Sequence, residues 1–390
     1  MAAPSLALIP SAYKVGKVAS VKPINGKGDF TFTRNSEATR INENGIIETM
    51  GVDVPRIDHT DGGCPSLLLE FASTNLIPYS EGFDNAAWTK TRCTIDSGGH
   101  TSPSGESNAF KMTATYDDAR LQDGSGAASV VYTQSIYVKS ATGSDVSGQV
   151  DFTGTQIQTF TATSQWQRVD TTSDGTRAGV VRVRITNSGD ELYIWGAQLE
   201  QNSYATSYIP TNGTAVTRGT EVCDGAGDVS TFNSAEGTLF GDITAIANDS
   251  IFKLIGISNG TSSNRAYIGY SSASNNITAT LQLNGVAQAS IFHDVDDITT
   301  SSKVAFTYKN NDFNLWVNGS KVGSDTSGST FPSGTINTAT FSSGAGSSVF
   351  YGKSKQVQVF KTALTDAELI ALTSWSSFTE MATVLKYSIQ

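Results

Sequence analysis

The 390-residue chain is short of the side chains that most often do chemistry, with three cysteines and three histidines. Cys64, Cys93 and Cys223 are odd in number, far apart and in no Cys-x-x-Cys pair. Neither a disulfide framework nor a structural zinc site is expected, and the thiols read as reduced in a cytosolic compartment. His59, His100 and His293 are isolated, so a histidine-based catalytic apparatus has few members to draw on. Charge is scarce as well: 16% of residues are charged, against roughly 25% in an average soluble protein. Lys plus Arg number 26 and Asp plus Glu 36, a net charge of −10. Without a basic run there is no electrostatic footprint for phosphate, which excludes nucleic acid as a partner. No stretch of about 18 apolar residues exists, so no membrane insertion is expected. The N-terminal apolar stretch is interrupted by Pro4 and Pro10 and lacks a basic lead, so it does not read as a signal peptide. Gly-x-Ser-x-Gly, P-loop and His-Glu-x-x-His motifs are missing too. The expectation is a protein that is not an enzyme, with no catalytic residue, no cofactor and no assigned metal.

The vacancy is filled by Ser, Thr, Asn, Gln and 37 glycines, a composition that suits sheets and turns better than helices. The predicted fold class is all-β: an N-terminal arm or collar, two antiparallel β-sandwich domains and a short C-terminal helix. Residues 1–75 carry turn signals and short strands but little core, and read as a docking region packed on something else. Residues 76–218 hold strand-like runs such as Val130–Lys139, Val180–Ile185 and Glu191–Trp195, joined by Ser/Gly/Asp-rich connections, a jelly-roll pattern. Residues 219–375 repeat the theme with Asn284-Gly285 and Asn318-Gly319 marking hairpins. Phe306, Leu315 and Val317, or their alternates along the same strands, would point inward there. Thr365-Asp-Ala-Glu368 is a capping box, with Leu364, Leu369, Ile370 and Leu372 as the helix's apolar face. Residues 376–390 form a tail.

Several short strings then acquire meaning from their order. Phe30-Thr-Phe-Thr-Arg34, Ala38-Thr-Arg-Ile-Asn42, Gly45-Ile-Ile-Glu48, Val54-Pro-Arg-Ile-Asp58, Cys64–Glu70, Thr74-Asn-Leu-Ile77 and Tyr79-Ser-Glu-Gly-Phe83 with Trp88 lead the series. Trp195-Gly-Ala-Gln-Leu-Glu200 and Tyr204-Ala-Thr-Ser-Tyr-Ile-Pro210 complete it. Over residues 4–218 the chain resembles a family of tailed-bacteriophage virion proteins: head or tail fibres, capsid decoration proteins and tail appendages that carry a carbohydrate-binding-module-like jelly roll. Leu315-Trp-Val-Asn-Gly319 and Val359–Glu368 make residues 219–375 similar to a concanavalin A-like, laminin-G-like sandwich. The resemblance implies a structural protein on the virion surface, assembled in the host cytoplasm. Its implied partners are other virion proteins of capsid or tail, further copies of itself (a homotrimer favoured) and a host cell-surface glycan. A receptor-binding lectin-like adhesin is the alternative, and a polysaccharide depolymerase stands third.

Sugars stack on aromatic rings and bond to planar amides and carboxylates, so the tryptophans come first as candidates. Trp166 and Trp316 lie within strand patterns and read as core; Trp195 reads as structural. Trp88 and the loop tyrosines Tyr116 and Tyr270 stay as candidates for contact, although isolated surface aromatics are common. Asp294, Asp296 and Asp297, following His293, form the densest group of oxygen ligands, but without the spacing of a calcium loop. Glycoside hydrolysis needs two converging carboxylates. Glu106, Asp117, Asp118, Glu191 and Glu200 are available, though nothing in the sequence pairs them, and Glu200 is expected to hold a structural hydrogen bond. The glycan-binding residues stay unassigned at this stage.

Overall fold

The computed structural model describes residues 2–124, 126–127 and 129–374. Among them are 31 β-strands and one α-helix, the all-β class expected. Residue 375 and the expected tail 376–390 lie outside the described residues. The chain forms two compact units: Met1–Asn35, Val52–Phe71 and Glu221–Gln390 make one, and Ser36–Gly51 with Ala72–Thr220 make the other.

The first unit is a sandwich of an eight-stranded and a five-stranded antiparallel sheet. Glu236–Ala245 lies between Ser302–Lys309 and Gly352–Phe360 in the larger sheet. Successive side chains of a strand face opposite ways, and this sheet uses both faces. Leu239, Phe306, Leu315 and Val317 enter the main core together with Ile255, Ile268 and Ala279 of the smaller sheet. Their neighbours Phe240, Ala305 and Trp316 face the other way, into a second cluster with Leu364 and with Leu369 and Leu372 of the helix Asp366–Ser374. The capping box forms: the Thr365 amide donates to Glu368 Oε2 at 3.0 Å. Ile370, expected on the apolar face, is 47% exposed, because one residue beyond Leu369 the helix has turned away from the sheet. The two hairpins form as expected, with positive φ at Asn284, Gly285, Asn318 and Gly319.

Residues 1–75, expected as an arm or collar packed on something else, supply strands to the chain's own units. Leu6–Leu8 pairs with Val357–Val359, and Ser66–Leu69 pairs with the start of the same strand. Leu6, Leu8, Leu67 and Leu69 are fully buried in the first unit's core. The segment has little core of its own because its apolar side chains complete a sheet made far along the chain. A buried ionic group ties these pieces together. Arg34 Nη1 donates to Glu221 Oε1 at 2.7 Å, Arg56 Nε donates to the same oxygen at 2.8 Å, and Arg56 Nη1 meets Glu70 Oε2 at 2.8 Å. Two cations and two anions balance, which is what lets such charges stay out of water. Burial alone would lower the proton affinity of Arg56, but the facing carboxylates outweigh it and hold the guanidinium charged.

The second unit is a sandwich of two five-stranded sheets. Phe110–Ala114, Glu191–Glu200 and Thr133–Ser140 run side by side in one of them. The alternation is legible in Val181–Ile185, where Val181, Val183 and Ile185 enter the core and Arg182 and Arg184 face out. The hairpin of Ala38–Ile41 and Ile47–Met50 also belongs to this unit. Its loop is wider than a two-residue turn at Asn44-Gly45, since the ladder ends at Ile41 opposite Ile47. Asn42 Oδ1 accepts from the amides of Asn44 and Ile46, and only Gly45 of that pair has positive φ.

Candidate functional site

The deepest polar chemistry of the second unit is built on the strand Glu191–Glu200. Ile194 and Ala197 enter the main core, while Trp195 lies on the other face with Ile47, Ala109 and Tyr208. The register against Thr133–Ser140 shifts between Ser135 and Tyr137, and Gly196 opposite takes φ of +64°. A β-bulge of this kind re-aims side chains. A Cβ at Gly196 would sit 3.1 Å from the Tyr137 ring and 3.3 Å from the Tyr208 ring. Trp195 and Tyr208 therefore pack at 4.5 Å between ring centroids, with Tyr137 edge-on to Trp195 at 5.5 Å.

Tyr208 places its hydroxyl where the Tyr79–Phe83 string passes. The hydroxyl donates to Glu81 Oε1 at 2.8 Å and shares a 2.7 Å hydrogen bond with Ser80 Oγ. Asn108 Nδ2 donates to Glu81 Oε2 at 2.8 Å. Burial pushes the Glu81 carboxyl above the ordinary glutamate range, and the two donated bonds oppose that shift only in part. Burial, reinforced by the Glu81 charge, also raises Tyr208 well above a normal phenol, so Tyr208 remains the donor. Around this group lies a cleft of about 510 Å³, lined by Glu48, Glu81, Glu106, Asn108, Trp195 and Tyr208 among others. A second cleft of about 370 Å³ is lined by Glu81 and Asn108 too, with Ser97, Gly98, Thr211 and Asn212. Both volumes fall in the range of roughly 300–1,000 Å³ typical of small-molecule sites. Glu48 is tied to Arg40 at 2.6 Å. The buried Trp195 Nε1 and Asn108 Oδ1 have no hydrogen-bond partner.

Of the residues singled out from sequence, few meet here. Trp195 and Glu106 line the larger cleft. Trp88 is 2% exposed, against Phe83, with its indole N–H donating to Tyr79 O at 3.0 Å. Tyr270 is fully buried and donates to Ile243 O. Both candidates are thus core: Trp88 turns inward from its loop, and Tyr270 ends the strand Arg265–Tyr270 instead of standing in a loop; Tyr116 is exposed. Trp166 is half-buried beside the Trp195 cluster and Trp316 is buried under the helix. The remaining carboxylates are dispersed. Glu191 pairs with Lys111, Asp118 with Arg184, and Asp117 accepts from the Ser188 amide. Glu200, fully buried, accepts from Ser73 Oγ and the Thr206 amide. Asp294 accepts from Asn276 and Asp297 from the Thr299 amide. No group of three or more His, Cys, Asp or Glu placed to hold a metal occurs among the described residues. Glu48, Glu81, Asn108 and Tyr208 carry no sequence pattern of their own. The signal that could have found three of them is their place in the short ordered strings: Glu48 in Gly45–Glu48, Glu81 in Tyr79–Phe83 and Tyr208 in Tyr204–Pro210.

Residues 244–370 match the concanavalin A-like lectin/glucanases superfamily. No curated protein matches the chain. Solved structures that resemble it include the CBM40 of the Ruminococcus gnavus IT-sialidase bound to α2,3-sialyllactose, at 20% identity and a TM-score of 0.32, covering 38% of this chain and 93% of that one. A leech intramolecular trans-sialidase complexed with 2,7-anhydro-Neu5Ac aligns at 20% identity and a TM-score of 0.32, over 37% of this chain and 24% of that chain, so the match spans about a quarter of that enzyme. The CBM22-1–CBM22-2 tandem of Paenibacillus barcinonensis Xyn10C aligns at 10% identity and a TM-score of 0.27, over 76% of this chain and 100% of that one.

Proposed function

We propose that this chain is a non-catalytic glycan-binding protein, displayed on the surface of a tailed-bacteriophage particle. The observation that carries the glycan reading is the cleft in which Glu81 and Asn108 set a carboxylate and an amide over the buried Trp195 and Tyr208 rings. Carboxylate and amide groups bond to adjacent sugar hydroxyls. The match of residues 244–370 to a superfamily that includes lectins supports the same class. Fold alone does not confer it. The particle-surface part rests on the ordered strings between residues 4 and 218. On that reading the chain docks on capsid or tail proteins, and a trimer multiplies weak glycan contacts into useful avidity.

A glycan array with the purified chain tests the binding claim. Reproducible signal that free sugar competes away, and that a Glu81→Gln variant loses, supports it; silence across the array sinks it. Immunogold labelling of particles tests the location, and unlabelled particles contradict it.

A depolymerase is the second reading. The specific observation in its favour is that burial pushes the Glu81 carboxyl up in a cleft that also holds Glu48 and Glu106, since a glycosidase needs an acid of raised pKa and a second carboxylate. Release of reducing ends from a bound polysaccharide, abolished by Glu81→Gln, would establish it.

A further inference from the structure

The two clefts that share Glu81 and Asn108 also say what kind of glycan fits, an inference that rests on the glycan-binding reading above. Shared walls mean that the clefts adjoin. A single sugar ring would occupy one of them and leave the other empty, whereas a chain laid across Glu81 fills both. The smaller cleft adds hydroxyls and an amide from Ser97, Thr211 and Asn212. These are neutral groups able to donate and accept, matched to sugar hydroxyls.

Charge narrows the class further. The ionisable side chains lining the larger cleft are Glu48, Glu81 and Glu106, and Glu81 recurs in the smaller one. Neither lining includes a lysine or arginine among the described residues. Arg40, which contacts Glu48, is held by that carboxylate. An acidic sugar would bring its carboxylate against like charges with no guanidinium to receive it, and such juxtapositions are strongly selective. We propose that the Glu81 site takes an uncharged oligosaccharide chain lying across both clefts, and rejects acidic glycans.

Calorimetry on the full chain tests this with defined probes. Maltohexaose, cellohexaose and mannohexaose are compared with their disaccharides, and with hexagalacturonic acid and a sialic acid oligomer. The expected result is that at least one neutral hexaose binds about tenfold or more tighter than its disaccharide and than either acidic oligomer. Glu106 and Ser97 are exposed, so changes there should leave the fold intact. Glu106→Lys should shrink the discrimination against acidic oligomers by about tenfold. Ser97→Trp, which fills the smaller cleft, should bring hexaose affinity down to the disaccharide level. Acidic oligomers binding as tightly as neutral ones, or disaccharides as tightly as hexaoses, overturn the inference and leave glycan binding standing. Absence of binding to every probe, neutral and acidic, overturns the glycan reading itself and this inference with it.

Discussion

At the scale of single residues, Glu81 is the carboxylate of the larger cleft that holds both Tyr208 and Asn108. Its carboxyl is raised in the folded state, chiefly by burial. A carboxyl with a raised folded value favours the fold below the ordinary glutamate range, and that contribution disappears as pH climbs through the elevated value. Melting temperature followed across that window should therefore fall more in the native chain than in Glu81→Gln; parallel curves would contradict the assignment. Glu221 is the counterpart in the first unit. It accepts from Arg34, Arg56 and the Glu70 amide while fully buried. Glu221→Gln should cost about 3–5 kcal/mol in denaturant unfolding, since it takes away the charged carboxylate that faces two buried cations. Neither residue was legible in the sequence. The hydrogen-bond partners of Glu81 lie 27 and 127 positions away, and the Arg34–Glu221 pair spans 187. Trp316 was legible as a packing residue because strand alternation is a local pattern, and Trp195 from its ordered string; Trp166, expected inside a strand core, is half-buried and precedes the strand Gln167–Thr172. Tyr270 was not legible as packing, since its ring fills space made by distant strands.

At the scale of elements, the hairpins and the capped helix follow from short-range chemistry. Asn-Gly pairs accept positive φ, and Thr365 with Glu368 satisfies helix amides reciprocally. The bulge at Gly196 is a different matter. It depends on the register of one strand against its neighbour, which no single stretch of sequence states. Its positive φ and the aromatic rings close by leave no room for a side chain. Gly196→Ala should destabilise the second unit by about 1–3 kcal/mol and weaken glycan binding along with it, because the same bulge sets Trp195 beside Tyr208. A variant with unchanged melting and binding would show that the bulge does not position the site.

At the scale of the whole molecule, domain membership does not follow chain order. The first unit draws on residues 1–35, 52–71 and 221–390, although hydrophobic patterning marks out 219–375 as if it were self-sufficient. A fragment beginning at residue 219 lacks the strands Leu6–Leu8, Arg56–Asp58 and Ser66–Leu69, and leaves Glu221 without its arginines. It should be unfolded or aggregated by circular dichroism and size exclusion, and should recover when residues 1–71 are restored. A cooperatively folded fragment would contradict this account of the core. The fold class was legible because composition and turn spacing act over a few residues. The membership of the units was not, because it is decided by which distant strand closes a sheet. The central claim, that the Glu81 site binds glycan, is tested most directly by a crystal structure of the chain soaked with the tightest-binding neutral hexaose. Sugar density along Glu81, Asn108 and Trp195, reaching into the Ser97 cleft, is the result predicted. Density seated only on the 244–370 sandwich, with the Glu81 clefts empty, would contradict it.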